Sequence, residues 1–184
     1  MGPLHWRSEA GGFEGLVSMI VGQQVSTAAA SAIWGRVRAG LGEVTPQAAF
    51  AAGPEALAGM GLSRPKARYV HDIAQAFLED RHGVGHLHLL PDDEAVAALT
   101  SLRGIGRWSA EVFLMFCEGR TDLFPVGDLA LREAVGWVDG AAVRPSERET
   151  ADRALAWAPH RSTAAHLLWA WYGAVRRGDI SRPV

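Results

Sequence analysis

Apolar residues recur every three or four positions along most of this chain, which is the spacing of amphipathic helices. Phe13, Leu16 and Ile20 set this pattern in a first helix, predicted over residues 13–22. Ser26 is placed to cap a second helix that runs through residue 38, with Gly40 as its end. Further helices are predicted over residues 63–79, 107–117, 129–137, 146–157 and 161–177, with others starting at Thr45-Pro46, Gly53-Pro54 and Pro91.

Strand patterns are nearly absent. Only residues 86–90 suggest a strand, and the overlapping stretch 81–88, rich in glycine and histidine, is expected to be a flexible connector. The spacing of His82, His86 and His88 gives no clear metal site without carboxylate or cysteine partners, so a surface loop is favoured. The pattern therefore predicts an all-α protein.

Composition limits the class of protein. A length of 184 residues suits one domain, or two lobes that share a core, and 48% hydrophobic residues are enough to pack an interior. The single cysteine, Cys117, excludes an internal disulfide and a cysteine-ligated cluster or zinc site. No apolar run is long enough to span a membrane, and residues 1–22 lack the basic start and apolar core of a secretion signal. We therefore expect a soluble, cytoplasmic protein with no membrane partner.

The net charge of −2 gives no overall attraction to nucleic acid, although local charge can still provide it. Lys66 is the only lysine; every other residue of the basic set is arginine, which suits bidentate contacts with phosphate. The arginines that cluster near the C-terminus or flank a glycine turn are Arg161, Arg176, Arg177, Arg103 and Arg107. Charge alone leaves open whether they bind phosphate or form a solvated surface.

A glycine turn between two predicted helices is the strongest chemical signal. Gly104-Ile105-Gly106 lets backbone N–H groups approach an anion closely, and the helix that follows presents its unpaired N–H groups at the same point. Asp128 comes 20 positions after Trp108 and could lie beside whatever the phosphate anchors. It is also a good N-cap for the next helix, and the residues alone leave both roles open. Asp122 and Glu111 are the other acids that could lie beside the anchored phosphate, and Glu111 is expected at the surface.

Five segments together resemble the helix-hairpin-helix DNA glycosylases, most closely the 3-methyladenine DNA glycosylase II (AlkA-like) branch. They are residues 20–26, 57–68, 102–110, 122–132 and 159–169. The chain departs from the family pattern where Arg103 replaces a proline, Ser109 a threonine and His160 a tryptophan. The resemblance runs from about residue 13 to about residue 175.

The resemblance implies an all-α, two-lobed helix-hairpin-helix glycosylase core without the N-terminal β-rich domain of longer relatives. Residues 1–184 would form this single core. Its lobes would span about 26–100 and 101–137, with the flanking helices in 1–25 and 138–184 packing together. The protein is expected to act as a monomer on double-stranded DNA that contains alkylated bases, and to associate with the nucleoid when bound.

The implied activity is monofunctional hydrolysis of the N-glycosidic bond of alkylated bases such as 3-methyladenine and 7-methylguanine, in base excision repair. Asp128 is implied as the catalytic acid, because a carboxylate stabilises the positive charge that develops on the sugar. Trp108 and Trp169 are implied to line the pocket for the flipped base, where an indole face attracts a cationic purine. Val112 and Leu129 replace aromatic residues of well-known relatives, which suggests a roomier and less selective pocket.

The resemblance also implies a set of DNA contacts: Gln23 and Gln24 in the loop that enters the duplex, and Gly104, Gly106, Arg107 and Arg161 on the backbone. The carbonyl oxygens of Thr100, Leu102 and Ile105 are implied to hold a monovalent cation, Na⁺ or K⁺; no other cofactor is expected. The two glutamines could equally cap or link helices.

Trp108 also stands where bifunctional relatives keep a Schiff-base lysine, and Lys66, expected to be solvated or to face DNA, is the only lysine. A lyase step is therefore not expected. Two alternatives stay open: a glycosylase for other damaged or mismatched bases, and a non-enzymatic helix-hairpin-helix module that only binds DNA.

Overall fold

The computed structural model describes residues 11–181, and among these it contains α-helices and two 3-10 segments but no strand. The predicted all-α class is therefore confirmed over this range. The α-helices are α1 (Gly12–Gly22), α2 (Thr27–Leu41), α3 (Pro46–Gly59), α4 (Arg64–Leu78), α5 (Asp92–Thr100), α6 (Arg107–Phe116), α7 (Leu129–Val138), α8 (Glu147–Ala154) and α9 (Arg161–Arg177). The 3-10 segments are Arg81–Leu89 and Leu155–Trp157. None of the described helices is long and apolar enough to cross a membrane. The prediction about a secretion signal falls partly on residues 1–10, which lie outside the described residues.

Side-chain caps explain why most of these helices start where they do. The hydroxyls of Ser26 and Thr45 each accept a hydrogen bond from a backbone N–H three residues later, both at 3.2 Å. Ser63 caps α4 in the same way, and Ser146 forms a reciprocal capping box with Glu149 at the start of α8. Such a cap stabilises a helix by about 1 kcal/mol. The predicted cap at Ser26 is confirmed.

Two glycines set the breaks in the first half of the chain. Gly53 has φ 75° and ψ 166°, which divides α3 into two short helical pieces, as predicted from Gly53-Pro54. The predicted end of α2 at Gly40 is wrong, because the helix continues to Leu41 and stops at Gly42, where φ is 73°. Gly40 instead allows close packing: a Cβ there would lie 2.7 Å from Cε of Met60.

The predicted strand at 86–90 is also wrong. This stretch belongs to the 3-10 segment Arg81–Leu89, and Val84 and Leu87 bury their side chains there. The side chain of Asp80 organises the segment by accepting the N–H of Gly85 at 3.1 Å and contacting Nδ1 of His86 at 3.2 Å. The alternation of histidine and leucine therefore belongs to a 3-10 turn that covers the core. Over so short a stretch, this turn gives the same two-residue alternation as a strand.

Contacts among the helices group the described residues into a first unit, residues 11–113, and a second unit, residues 114–181. In the first unit α4 packs against α1, α3 and the longer 3-10 segment. Its core is built from fully buried aliphatic side chains, including Leu16, Ile20, Leu57, Ile73 and Leu99. The predicted lobe limits at 26–100 and 101–137 stay a prediction.

The second unit is organised around the contact between α7 and α9. Its buried cluster consists of Met115, Phe124, Leu131, Ala134, Val135, Ala154, Ala165 and Leu168. Trp137 lies beside this cluster, with its ring stacked on Tyr172 at 5.2 Å and edge-on to Trp171 at 5.6 Å. Leu131, in the first turn of α7, belongs to the buried cluster and anchors the start of the helix next to Asp128.

Candidate functional site

The turn between α5 and α6, residues 101–106, belongs to the first unit and has the geometry of a tight hairpin. Gly104 has φ 90°, and a Cβ there would lie 2.5 Å from Cδ2 of Tyr69, so the position requires glycine. Gly106 differs: its φ is not in the left-handed region, and a Cβ would meet nothing within 4 Å. Of the two glycines, only Gly104 is required by the backbone conformation of the turn, and the DNA contacts expected of both stay a prediction. The space in front of Gly106 is open to a ligand.

Gly106 also marks the start of α6, because its carbonyl accepts the N–H of Ala110 at 2.9 Å. The N–H groups of the first turn of a helix have no acceptor within the helix, and the helix dipole there favours an anion. The open face of Gly106 and the helix N-terminus thus coincide. This is the arrangement that the glycine pattern predicts for binding a phosphate.

Arg107 stands at the same helix start and is held by a buried acid. Its Nε donates to Oε1 of Glu111 at 2.9 Å, with the arginine side chain 73% exposed and the glutamate side chain 4% exposed. The expected surface position of Glu111 is wrong. The acid lies one turn along α6, where the partner arginine compensates its burial. Glu111 orients the Arg107 guanidinium through Nε, and the arginine side chain is otherwise exposed.

A second turn of the first unit, residues 23–25, follows α1. Lys66 reaches it from α4: its Nζ donates to the carbonyl of Val21 at 2.9 Å and to that of Gln23 at 2.6 Å. Burial of the ammonium lowers the pKa of Lys66 from its usual value. The ammonium of Lys66 is therefore not simply solvated, and the expectation that it faces DNA stays a prediction. Its partners are carbonyls near the end of α1, which no sequence pattern joins to residue 66.

The two glutamines of this turn have different positions. Nε2 of Gln23 donates to the carbonyl of Gly104 at 3.2 Å, which links the 23–25 turn to the hairpin. Gln24 is exposed and has φ 55°, a left-handed conformation that is uncommon for a residue other than glycine. Val25 beside it is 40% exposed. The turn thus holds one glutamine inward and presents the other.

The carbonyl oxygens of Thr100, Leu102 and Ile105, which the resemblance assigns to a cation, have the right ligand chemistry for Na⁺ or K⁺. The carbonyl of Leu102 accepts the N–H of Ile105 at 3.2 Å, and a carbonyl oxygen has a second lone pair. The Thr100 hydroxyl turns back to the carbonyl of Val96 at 2.8 Å, so a ligand from Thr100 would be its backbone oxygen. Within residues 11–181, no group of three or more His, Cys, Asp or Glu side chains could hold a metal ion.

Asp128 belongs to the second unit and caps α7. Its Oδ1 accepts the N–H of Leu131 at 2.9 Å, and its own N–H donates to the carbonyl of Pro125 at 2.9 Å. The predicted cap is confirmed. Leu129 follows it at the first position of α7 and is 55% exposed. A carboxylate has about four lone-pair sites, so capping is compatible with a second role.

Arg161 binds the competing acid. Its Nε and Nη2 donate to the two carboxylate oxygens of Asp122 at 2.8 and 2.9 Å. These hydrogen bonds lower the pKa of Asp122. Ser162 extends the connection by exchanging hydrogen bonds with the backbone of Leu123 at 3.0 and 3.1 Å. The start of α9 is thereby fastened to the segment that leads to Asp128.

The aromatic candidates have different surroundings. Trp169, on α9, is partly buried, with its ring stacked on Phe116 at 5.8 Å and edge-on to His166 at 5.9 Å. Trp108, on α6, is 46% exposed, which is unusual for so large an apolar side chain. Val112, one turn further along α6, is partly buried. The first unit contains Trp108, Val112, Gln23, Gln24, Gly104, Gly106 and Arg107; the second contains Asp128, Leu129, Arg161 and Trp169.

Comparison with known proteins adds independent information. Residues 17–160 match the sequence profile of the HhH-GPD superfamily base excision DNA repair proteins. DNA-3-methyladenine glycosylase 2 of Escherichia coli is 33% identical over 174 residues, which are 87% of this chain and 57% of that protein. The crystal structure of a DNA-3-methyladenine glycosidase from Bacillus halodurans is similar with a TM-score of 0.86 and 32% identity, over 94% of this chain and 81% of that one.

A third similarity concerns the fold alone. The 3-methyladenine DNA glycosylase Mag1 of Schizosaccharomyces pombe, solved in complex with abasic DNA, has a TM-score of 0.73 and 24% identity, over 98% of this chain and 88% of that one. The all-helical fold and the resemblance found in the sequence are both confirmed by these matches. The chain belongs to the HhH-GPD superfamily of base excision DNA repair proteins.

Proposed function

We propose that this protein is a monofunctional DNA glycosylase that removes alkylated bases, of the 3-methyladenine and 7-methylguanine type, from double-stranded DNA. The observation that carries the proposal is the family match over residues 17–160, in a chain similar at 33% and 32% identity to proteins named DNA-3-methyladenine glycosylase 2 and DNA-3-methyladenine glycosidase. A helix-capping aspartate in the expected segment supports it.

Asp128 is the acid we assign to catalysis. Loss of the base develops positive charge on the sugar, and a fixed carboxylate stabilises that charge and can orient water. The hydrogen bond from Leu131 holds the carboxylate in one place before substrate arrives. Of the competing acids, Asp122 accepts from Nε and Nη2 of Arg161, and Glu111 is buried against Arg107. The geometry thus favours Asp128 over either alternative.

The DNA backbone is assigned to the hairpin. A phosphate oxygen in front of Gly106 would accept from N–H groups at the start of α6, with Arg107 as a charged neighbour. If a monovalent cation is bound, the carbonyls of Thr100, Leu102 and Ile105 would hold it, and its charge would add to the attraction for phosphate. Arg161 is a weaker candidate for a DNA contact than the sequence suggested, because Asp122 already binds its guanidinium.

For base recognition we assign Trp108 and Val112 of the first unit, and the roles of Leu129 and Trp169 stay predictions from the family resemblance. The exposed indole of Trp108 supports its assignment, because a flipped cationic purine gains about 0.5–2 kcal/mol against an aromatic face. The aliphatic side chains of Val112 and Leu129 favour a broad substrate range over a selective one.

Water is assigned as the nucleophile, without a lyase step. An amine nucleophile must offer a lone pair, and Lys66 is the only lysine in the chain. Its ammonium donates to the carbonyls of Val21 and Gln23, so it is committed to the structure of the 23–25 turn. The expected product is an intact strand with an abasic site.

A base-release assay tests the proposal. Duplexes that contain 7-methylguanine, 3-methyladenine, 8-oxoguanine or a single mismatch are incubated with the wild type, with Asp128→Asn and without protein, and the released free bases are separated from the DNA and measured by chromatography. We expect release from both alkylated duplexes, above the rate without protein, by the wild type alone. Tight binding without release would favour the DNA-binding module, and release confined to 8-oxoguanine or the mismatch would favour the other glycosylase class.

A further inference from the structure

Lys66 is the only lysine of this chain, in which every other Lys or Arg position holds arginine. Lys66 is partly buried, and its ammonium lies on two carbonyls that flank Gly22, those of Val21 and Gln23. A compact ammonium can converge on two nearby oxygens, whereas the planar fork of a guanidinium fits parallel donors to a carboxylate or phosphate. The contact therefore selects lysine for its shape.

The 23–25 turn is held on three sides within the first unit. Lys66 of α4 donates a hydrogen bond to the carbonyl of Gln23 in the turn. The Gln23 amide donates to the carbonyl of Gly104, and Ser26 caps α2 directly after the turn. Between these attachments Gln24 is exposed with φ 55°. A non-glycine residue in this region is strained and persists only where its surroundings impose it, often at functional sites.

We infer that Lys66 is a positioning residue that holds the 23–25 turn so that Gln24 enters the DNA duplex when a base is extruded. Gln23 joins this turn to the hairpin, so the inserting residue and the phosphate anchor form one rigid piece. Lys66 acts through the turn and touches no DNA. The inference rests on the proposed function, since it assigns a means of base extrusion to that glycosylase.

The test separates insertion from chemistry. A duplex carrying a tetrahydrofuran abasic-site analogue with 2-aminopurine beside it becomes more fluorescent when a side chain enters the gap and unstacks the probe. This readout requires no base release. Affinity for an undamaged duplex is measured in parallel at several salt concentrations, because a lysine that binds phosphate contributes about one unit to the salt slope.

Lys66→Met keeps the aliphatic stem and removes the ammonium, and Arg68→Met removes one charge from the exposed face of the same helix as a matched control. We expect Lys66→Met to lose most of the fluorescence increase and to lower single-turnover release of 7-methylguanine about tenfold or more, with an unchanged salt slope. Arg68→Met should retain the fluorescence increase. The defect of Lys66→Met should shrink for a lesion placed in a bulge, where extrusion costs less.

The double variant Lys66→Met/Gln24→Ala identifies the route. If Lys66 acts through Gln24, the double variant is no worse than the more defective single variant, because both changes remove the same step. Should Lys66→Met fail to fold, as judged by circular dichroism, Lys66→Arg carries the test: the charge stays, the geometry changes, and the fluorescence increase should fall at unchanged affinity.

Full fluorescence in Lys66→Met, additive defects in the double variant, or a salt slope reduced by about one would each overturn the inference. The last result would mean that Lys66 binds the DNA backbone itself. If the wild type gives the fluorescence increase but releases no base, the proposed function fails and the positioning role of Lys66 stands. If it releases base and Lys66→Met is unimpaired in both assays, the inference alone fails.

Discussion

The two glycines of the hairpin should respond to alanine in opposite ways. At Gly104, φ 90° and the approach of Tyr69 to 2.5 Å both oppose a Cβ. Left-handed backbone costs an L-residue roughly 1–2 kcal/mol, and overpacking adds about 1–3 kcal/mol, offset by up to about 1 kcal/mol from a less flexible unfolded chain. Gly104→Ala should therefore lower the free energy of unfolding by about 2–4 kcal/mol.

Gly106→Ala should leave the fold nearly intact, because its Cβ meets nothing within 4 Å and φ is ordinary. Replacing glycine at a helix N-cap by alanine costs less than about 1 kcal/mol. The new methyl group would occupy the space of a phosphate, and losing one charge-assisted hydrogen bond costs about 1.5–3 kcal/mol, which is roughly tenfold or more in Kd.

Urea denaturation and fluorescence anisotropy with duplexes of unrelated sequence measure the two effects. Gly106→Ala should bind every sequence more weakly by a similar factor, because a phosphate contact carries no sequence information. Equal destabilisation of the two variants would refute the packing argument at Gly104. Unchanged affinity of Gly106→Ala at low and moderate salt would refute the phosphate site.

Three further outcomes follow from the geometry. Asp128→Asn should keep the melting temperature, since asparagine caps a helix as well as aspartate, while base release falls by about 10²-fold or more and DNA binding persists; normal single-turnover release would remove Asp128 from the mechanism. The hydrogen bonds from Arg161 depress the folded-state pKa of Asp122, so their contribution to stability is present above the ordinary carboxylate pKa of about 4 and is lost as pH falls through the folded value. Asp122→Asn should therefore flatten the acid limb of a stability–pH curve, and an unaltered limb would contradict this. Borohydride should trap no adduct on alkylated DNA, and trapping in proportion to base release would show that an amine takes part.

Local signals explain what the sequence could predict about this fold. Ser26, Ser63 and Ser146 cap helices by bonding to N–H groups three residues away, so their role is visible in a short window of sequence. The Gly53 break and the Asp128 cap are of the same kind. The resemblance to the glycosylase family rested on several such local segments taken together.

Contacts between distant positions explain what could not be predicted. Lys66 finds its carbonyl partners 43 and 45 residues earlier, and the amide of Gln23 finds its acceptor 81 residues later. Glu111 looks like a surface acid until α6 is packed, when its carboxylate is buried and pairs with the guanidinium of Arg107. Gly40 and Gly42 are both plausible helix ends; in the structure Gly42 has the left-handed φ that ends α2, and Gly40 packs against Met60.

The lone lysine also makes the 23–25 turn chemically addressable. Amine-directed acylation can reach only two kinds of group in this chain, the terminal amine and Nζ of Lys66. Because Nζ donates to the carbonyls of Val21 and Gln23, a reagent must reach it beside the folded turn, and opening of the turn should speed the attack. The rate of acylation at Lys66 is therefore sensitive to opening of the turn, and added DNA should slow the reaction by holding the turn closed.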